Sequence, residues 1–229
     1  MIDANFVKNI ALESGADLCG IASVDRFSEA PKGFKPTDIY ADAKSVVVIA
    51  RKFPEGPFES KGTIPYTVTN DIILRETVRI TCALCTMLER NCVIAVPVPS
   101  DDPYEYWNED KHEGRGILSL RHAGFMAGLG ILGRNTLLTN AIFGNRITLG
   151  AALLNVSLEP EDSVDYDFCP PDCRICIKNC PARALDGKTV NQKLCRGVSQ
   201  GHTKKGHYLY LCNNCRRLCP NGRGYDECN

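Results

Sequence analysis

Cys169-x3-Cys173-x2-Cys176-x3-Cys180-Pro181, followed by Cys195-x16-Cys212-x2-Cys215-x3-Cys219-Pro220, decides how this chain is read. Nine of the thirteen cysteines lie between Phe168 and Asn229, and eight of them form these two runs. Each run ends in a cysteine three residues on, then a proline. An iron–sulfur cubane takes one thiolate per iron. Three closely spaced cysteines on a tight loop supply three, and the fourth comes from elsewhere because one loop cannot wrap the cube.

The C-x2-C-x3-C-P ending resembles the bacterial ferredoxin signature, in which the cysteine before the proline ligates the other cluster. That swap assigns Cys169, Cys173, Cys176 and Cys219 to one 4Fe-4S cluster, and Cys195, Cys212, Cys215 and Cys180 to a second. Zinc fits less well, because it favours paired C-x2-C or a Cys/His mixture. Disulfides have no export context to support them. Cys169 stands one residue further from Cys173 than the usual spacing, and Cys169-Pro170-Pro171-Asp172 is a rigid turn able to absorb the extra residue. Cys228 belongs to neither set.

With 229 residues the chain holds one good core and a small appendage. Lys+Arg and Asp+Glu balance at 27 each, so net charge gives no footprint for nucleic acid or anionic membrane. There is no signal-like start and no apolar run of about eighteen residues. Cysteine-rich sequence without a signal points to a reducing cytoplasm and to metal, and oxygen-sensitive cubanes are consistent with an anaerobic host.

The first 156 residues read as alternating helices and strands. Residues 3–14 form an amphipathic helix through Phe6, Val7, Ile10 and Ala11. Residues 17–22, 45–50, 93–98 and 147–154 read as strands, the second buried on both faces. Residues 70–90 form the longest helix, with Asn70-Asp71 as its cap. Cys82 and Cys85 on it, like Cys19 and Cys92, read as core packing. Residues 99–116 form a polar and aromatic loop, and residues 117–129 a further helix. An acidic stretch at 157–168 marks the boundary with the cysteine runs. The pattern is a layered α/β or α+β core.

Gly128, Gly130 and Gly133 lie in a glycine-rich stretch that ends in Arg134-Asn135-Thr136. It follows a helix, not a strand, so it is not a dinucleotide fingerprint. One glycine suffices for a helix cap. Three suggest a backbone brought close to something flat, with Arg134 and Asn135 on its polar edge.

Three stretches in order resemble the epoxyqueuosine reductases and the related corrinoid-dependent reductive dehalogenases. They are Gly15-Ala16-Asp17-Leu18-Cys19-Gly20-Ile21-Ala22, then Ala127 to Leu138 with Phe143-Gly144-Asn145-Arg146-Ile147 and Leu149-Gly150, then the two cysteine runs. The resemblance implies an α+β fold: a nitroreductase-like α/β domain at 1–156, followed by a ferredoxin-like domain at 157–229. It implies cobalamin in the α/β domain, with flavin as the runner-up, and electrons passing from the clusters to cobalt. The epoxyqueuosine reductases carry Asp-x-Ala-Pro-x-x-Glu-Arg before the glycine motif, with the Asp as proposed proton donor. Here Glu113 to His122 occupies that region, and only Arg121 matches. The proton donor is therefore expected from the loop, with Tyr104, Tyr106, Asp110, His112 and Glu113 as candidates.

The resulting expectation is a cytoplasmic iron–sulfur oxidoreductase. It would reduce a small-molecule substrate with electrons from a protein such as a ferredoxin or flavodoxin, without nucleic acid or membrane. The alternative is a ferredoxin-like electron carrier, or a donor that reactivates another protein's corrinoid.

Overall fold

Six small or β-branched residues in a row, Ser45 to Ala50, form a stable strand only where both sheet faces are covered. The computed structural model describes residues 2–166 and 168–224 and covers that strand on both sides. In chain order the main elements begin with α1 (Ala4–Glu13), β1 (Leu18–Ser23), β2 (Ser45–Lys52), α2 (Ile64–Glu89) and β3 (Ala95–Val98). A short hairpin of β4 (Tyr106–Asn108) and β5 (Glu113–Arg115) follows, then α3 (Leu120–Met126) and β6 (Ile147–Leu154). Among the cysteine runs lie α4 (Gln192–Ser199), β7 (Gln200–His202) and β8 (Tyr208–Tyr210).

The main sheet is antiparallel, in the order β1-β2-β6-β3. Alternation along β2 divides the core into two layers. Val47 and Ile49 pack with Val7 and Ile10 of α1 and with Ile80, Leu84 and Leu88 of α2. Val46, Val48 and Ala50 pack on the other face with Leu118, Ala123, Ala127 and Leu129. The result is a mixed α/β architecture with helices on both sides of one sheet.

Several expected boundaries shift for physical reasons. Helix α2 begins at Ile64, not at Asn70, because Pro65 in its first turn loses no helical hydrogen bond there. Asn70 instead sits buried in the helix. Helix α3 is shorter than residues 117–129, and Gly128 at φ +70 leaves the helical region soon after it. The expected loop at 99–116 contains the β4–β5 hairpin, with Trp107 opposite Gly114. Cys85 is buried and Cys19 packs partly against the core, as expected, but Cys82 and Cys92 are exposed. Cys92 adopts φ 60 just past the end of α2, and the chain turn directs it outward.

Between Phe168 and Gly224, only Phe168, Ala184 and Gly222 are fully buried. This segment has almost no core of its own, and it leans on the sheet. Gly144, at φ +59, would place a Cβ 2.1 Å from the carbonyl oxygen of Gly222, so only glycine allows the two backbones to meet. Among the described residues, no helix is long and apolar enough to cross a membrane.

Leu84 has no exposed surface and belongs to the layer under α2. Leu84→Ala is expected to cost about 2–5 kcal/mol of stability, read by urea unfolding, without lowering iron content.

Candidate metal and cofactor site

Cys169, Cys173, Cys176 and Cys219 line one small cavity together with Gly133, Arg134, Asn135 and Thr139. These are the four cysteines that the swap rule groups from two separate runs. Burial, followed by the charges of the neighbouring cysteines, pushes the Cys176 thiol up. Burial pushes Cys219 up to about 11, with Cys169, Cys176 and Cys173 adding to it. Around the second group, burial pushes Cys215 up to about 11, and Cys195, Cys212 and Cys176 contribute in the same direction. Cys180 accepts a hydrogen bond from the Ala184 amide at 3.3 Å. Among the described residues, no three His, Cys, Asp or Glu side chains gather as ligands to one metal ion. The four thiols of the first group instead border a shared space, and four cysteines in that form suit a cubane with one thiolate per iron. Cys228 lies outside the described residues.

The residues after the glycine stretch hold these loops. Arg134 donates to the carbonyl oxygens of Pro170 at 3.0 Å, Pro171 at 2.7 Å and Cys173. Asn135 donates through Nδ2 to the Cys215 carbonyl at 3.0 Å. A Cβ at Gly130 would fall 2.3 Å from the Thr139 carbonyl oxygen, and one at Gly128 would fall 2.6 Å from that of Asp162. Gly133 faces Asn135 and Thr139 beside the cysteine-lined space. Gly128 and Gly130 thus pack on the protein's own backbone and Gly133 on the side chains of Asn135 and Thr139, while Arg134 and Asn135 point to the cysteine loops instead of to the larger cavities.

Two larger cavities lie on the other side. One of about 350 Å³ is walled by Tyr66, Asn70 and Leu74 of α2, by Asn145 and Leu149, and by Tyr210 and Arg216 from the second cysteine run. The other, about 1080 Å³, is bounded by residues 26–34, by residues 99–122 and by residues 189–193. Both are lined by Ser100, Asp101, Leu120 and Arg121. Both side-chain amide atoms of Asn145 and the Ser100 hydroxyl are buried without a hydrogen-bond partner. Buried polar atoms of that kind normally have one, so a ligand with polar edges fits this space. Arg216 donates to the carbonyls of Asn145 and Ile147, and its guanidinium lies over Phe53. Arg146 is 4% exposed and is held by Glu55 and the face of Phe58.

The five candidate acids divide. Tyr104, Asp110 and Glu113 line the large cavity; Tyr106 and His112 are exposed and do not. Glu113 is occupied by Arg115 at 2.7 Å. Tyr104 hydrogen-bonds Asp101 at 3.2 Å, accepts from Arg196 at 3.2 Å, and stacks on Trp107. Asp101, not among the expected candidates, is the carboxyl at the junction of the two cavities. Burial, then the charge of Asp102, raises its pKa; Tyr104 and Arg196 oppose the shift. His122, also unexpected, pairs with Ser119 at 2.6 Å, and burial lowers its pKa. A Cβ at Gly114 would lie 2.8 Å from the Tyr104 ring, so this part of the loop has no room for a side chain. The sequence carried a sign of Asp101 only in the polar composition of the loop, and of Asn145 only in the Phe143–Ile147 motif.

No family model matches the chain. Curated relatives do. The epoxyqueuosine reductase of Staphylococcus aureus is 37% identical over 119 residues, which is 48% of this chain and 31% of that protein. That of Listeria monocytogenes is 34% identical over 110 residues, 44% and 28% of the two chains. About half of the chain is thus similar to part of the epoxyqueuosine reductases. The matched stretch is less than a third of these relatives' length. Solved structures agree on the fold. The epoxyqueuosine reductase of Streptococcus thermophilus superposes with a TM-score of 0.66 at 22% identity, over 96% of this chain and 66% of the other. A B12-dependent reductive dehalogenase gives 0.73 at 20% identity, over 96% and 32%. An epoxyqueuosine reductase bound to a modified tRNA-Tyr stem loop gives 0.64 at 20% identity, over 97% and 66%.

The epoxyqueuosine reductase relatives, together with that tRNA-bound structure, overturn the expectation of a small-molecule substrate without nucleic acid. The physical reason is that net charge is a sum. No Asp or Glu lies between Asp186 and Asp226, a stretch with four Lys and four Arg, so a neutral total conceals a basic segment.

Arg134→Ala removes three carbonyl contacts from the first cysteine loop. Wild-type protein purified without oxygen is expected to hold about eight iron and eight sulfide per chain. The variant should lose about half, read by iron analysis and visible absorbance. Stoichiometric zinc in the wild type would reject the cubane assignment.

Proposed function

We propose that this chain is an iron–sulfur oxidoreductase with two cubanes and a corrinoid as its redox groups, acting on a nucleoside carried in RNA. One observation carries the reading. The cavity that contains the unpartnered Asn145 amide is closed on one side by Tyr210 and Arg216, which flank the cysteines of the second run. At about 350 Å³ this cavity would take one edge of the cofactor, between the sheet and a cluster, with the rest reaching past Asp101 and Arg121 into the larger cavity. The cysteines divide as Cys169, Cys173, Cys176 and Cys219 for one cluster, and Cys195, Cys212, Cys215 and Cys180 for the other. Residues 1–156 serve as a nitroreductase-like domain and residues 157–229 as a ferredoxin-like domain.

When bound, a corrinoid supplies low-valent cobalt as the reductant. This chain's residues supply the rest. Asn145 and Ser100 offer hydrogen bonds to the cofactor's polar edge, and Leu74, Leu149 and Tyr66 exclude water from its apolar surface. Arg121, held by the Thr136 carbonyl at 3.0 Å, marks the passage between the cavities. Asp101 holds the proton that the reduced substrate takes up, and Tyr104 and Arg196 fix its position. The large cavity has room for an extruded base, as enzymes acting on nucleobases require. The curated relatives and the tRNA-bound structure support the RNA-borne substrate.

Anaerobic titration of cluster-loaded protein with cobalamin should give saturable spectral change. Asn145→Leu should weaken it at least tenfold, with iron content unchanged. No binding of cobalamin or flavin by the wild type would leave the electron-carrier alternative instead.

Asp101→Asn should lower turnover by about 10²–10⁴-fold while cofactor and clusters remain. The raised pKa of Asp101 keeps its proton to higher pH than an ordinary aspartate does. Wild-type rate should therefore fall as pH rises through that pKa, and the variant should lack this limb. The groups facing Asp101 are Asp102, Tyr104, Arg196, Tyr208 and Tyr210. The sign for stability is the same: the raised folded-state pKa favours the native state at low pH, and this is lost as pH rises through it. An unchanged pH profile in the variant would remove Asp101 from the role.

A further inference from the structure

The basic segment is not used evenly. Arg216 and Arg223 are committed to the sheet side, through the Asn145 carbonyl and through Glu55 and Glu59. Arg196 lies over Tyr104 and Trp107. Lys204 and Lys205 are different. They occupy the turn of the β7–β8 hairpin, both are exposed, and neither has an ion-pair partner among the described residues.

The same hairpin carries aromatic surface. Tyr208 is 39% exposed and meets His202 at 5.8 Å and Tyr210 at 5.0 Å, edge to face, so its ring is braced from two sides. Two free cations next to a braced, open aromatic ring suit a polyanion whose units also stack: phosphates for the lysines and a base for the tyrosine. The hairpin is also continuous with the site. Tyr210 at its end lines the smaller cavity, and α4, from which it springs, places Gln192 and Lys193 on the larger one. A chain lying on the hairpin is thereby led to the cavity mouth.

We propose that the β7–β8 hairpin is the surface on which an RNA stem–loop docks, with Lys204 and Lys205 on its phosphates and Tyr208 stacked on an unpaired base. This rests on the RNA-borne substrate proposed above. It adds where the RNA is gripped.

The test uses the full, cluster-loaded chain without oxygen and a fluorescent RNA stem–loop, titrated at increasing salt. Wild type should bind with an affinity that falls as salt rises. Lys204→Gln with Lys205→Gln should lose about tenfold or more, and the log–log salt slope should shrink by about 1 to 2. Tyr208→Leu should lose affinity with the salt slope unchanged, because stacking releases no counter-ions. Iron content confirms that each variant is folded. If the double variant binds as tightly and with the same slope as wild type, the hairpin is not the docking surface, although the RNA substrate stands. If wild type does not bind RNA but binds an acidic electron-donor protein through the same lysines, both ideas fall.

Discussion

The arrangement depends on one short segment, Arg134-Asn135, reaching across from the sheet to both cysteine runs. Arg134 takes three carbonyls of the Pro170–Cys173 turn, and Asn135 takes that of Cys215. A guanidinium is suited to this because its donors form a rigid planar fork and never deprotonate. Lysine offers one compact point of charge and would not replace it. The glycines before it now have a physical reason. They let residues 128–133 lie flat against the backbone at 139 and 162, and this brings the two side chains to the loops.

Much of this was legible in the sequence, and the reasons differ by element. Strands β2 and β6 declare themselves because both their faces are buried and their residues are continuously small or β-branched. The grouping of Cys219 with Cys169, Cys173 and Cys176, which line one cavity, was suggested by the likeness to two-cluster ferredoxins, where the cysteine before the proline serves the other cluster. The target of the glycine stretch was not legible. Close backbone approach demands glycine whether the neighbour is a cofactor or another strand, so composition alone cannot distinguish them. Asp101 was equally hidden. It is one of several acids in residues 99–116, and only the cavity junction and its Tyr104 contact separate it from Asp102 or Asp110.

Charge shows the same limit in another form. A balanced 27 against 27 suggests no polyanion partner, yet no acid lies between Asp186 and Asp226. Screening over about 8–10 Å makes a docking phosphate respond to nearby charges and not to the total. Part of the basic excess faces inward, where it meets the cysteine loops and the carbonyls of the sheet. Lys204 and Lys205 are on the hairpin. Net charge bears on solubility and long-range steering; local charge bears on where a partner sits.

The link between metal and cofactor follows from where the walls come from. The segment from Phe168 to Gly224 buries almost nothing fully, so apolar burial alone contributes little to hold it. On the function proposed above, thiolates that close around a cluster would supply that free energy directly, as in other small metal-dependent folds. Yet Tyr210 and Arg216, two walls of the smaller cavity, lie in this segment beside Cys212 and Cys215. The Tyr210 amide is anchored to Thr67 of α2 at 3.0 Å, and its ring meets Tyr66 at 6.3 Å. Any loosening of the second cysteine group therefore moves these two walls of the cavity against a sheet that stays in place. On the function proposed above, cluster assembly and cofactor affinity would form one coupled equilibrium. Linkage makes such a coupling reciprocal, so a ligand bound against Tyr210 and Arg216 would in turn stabilise the segment that carries the cysteines.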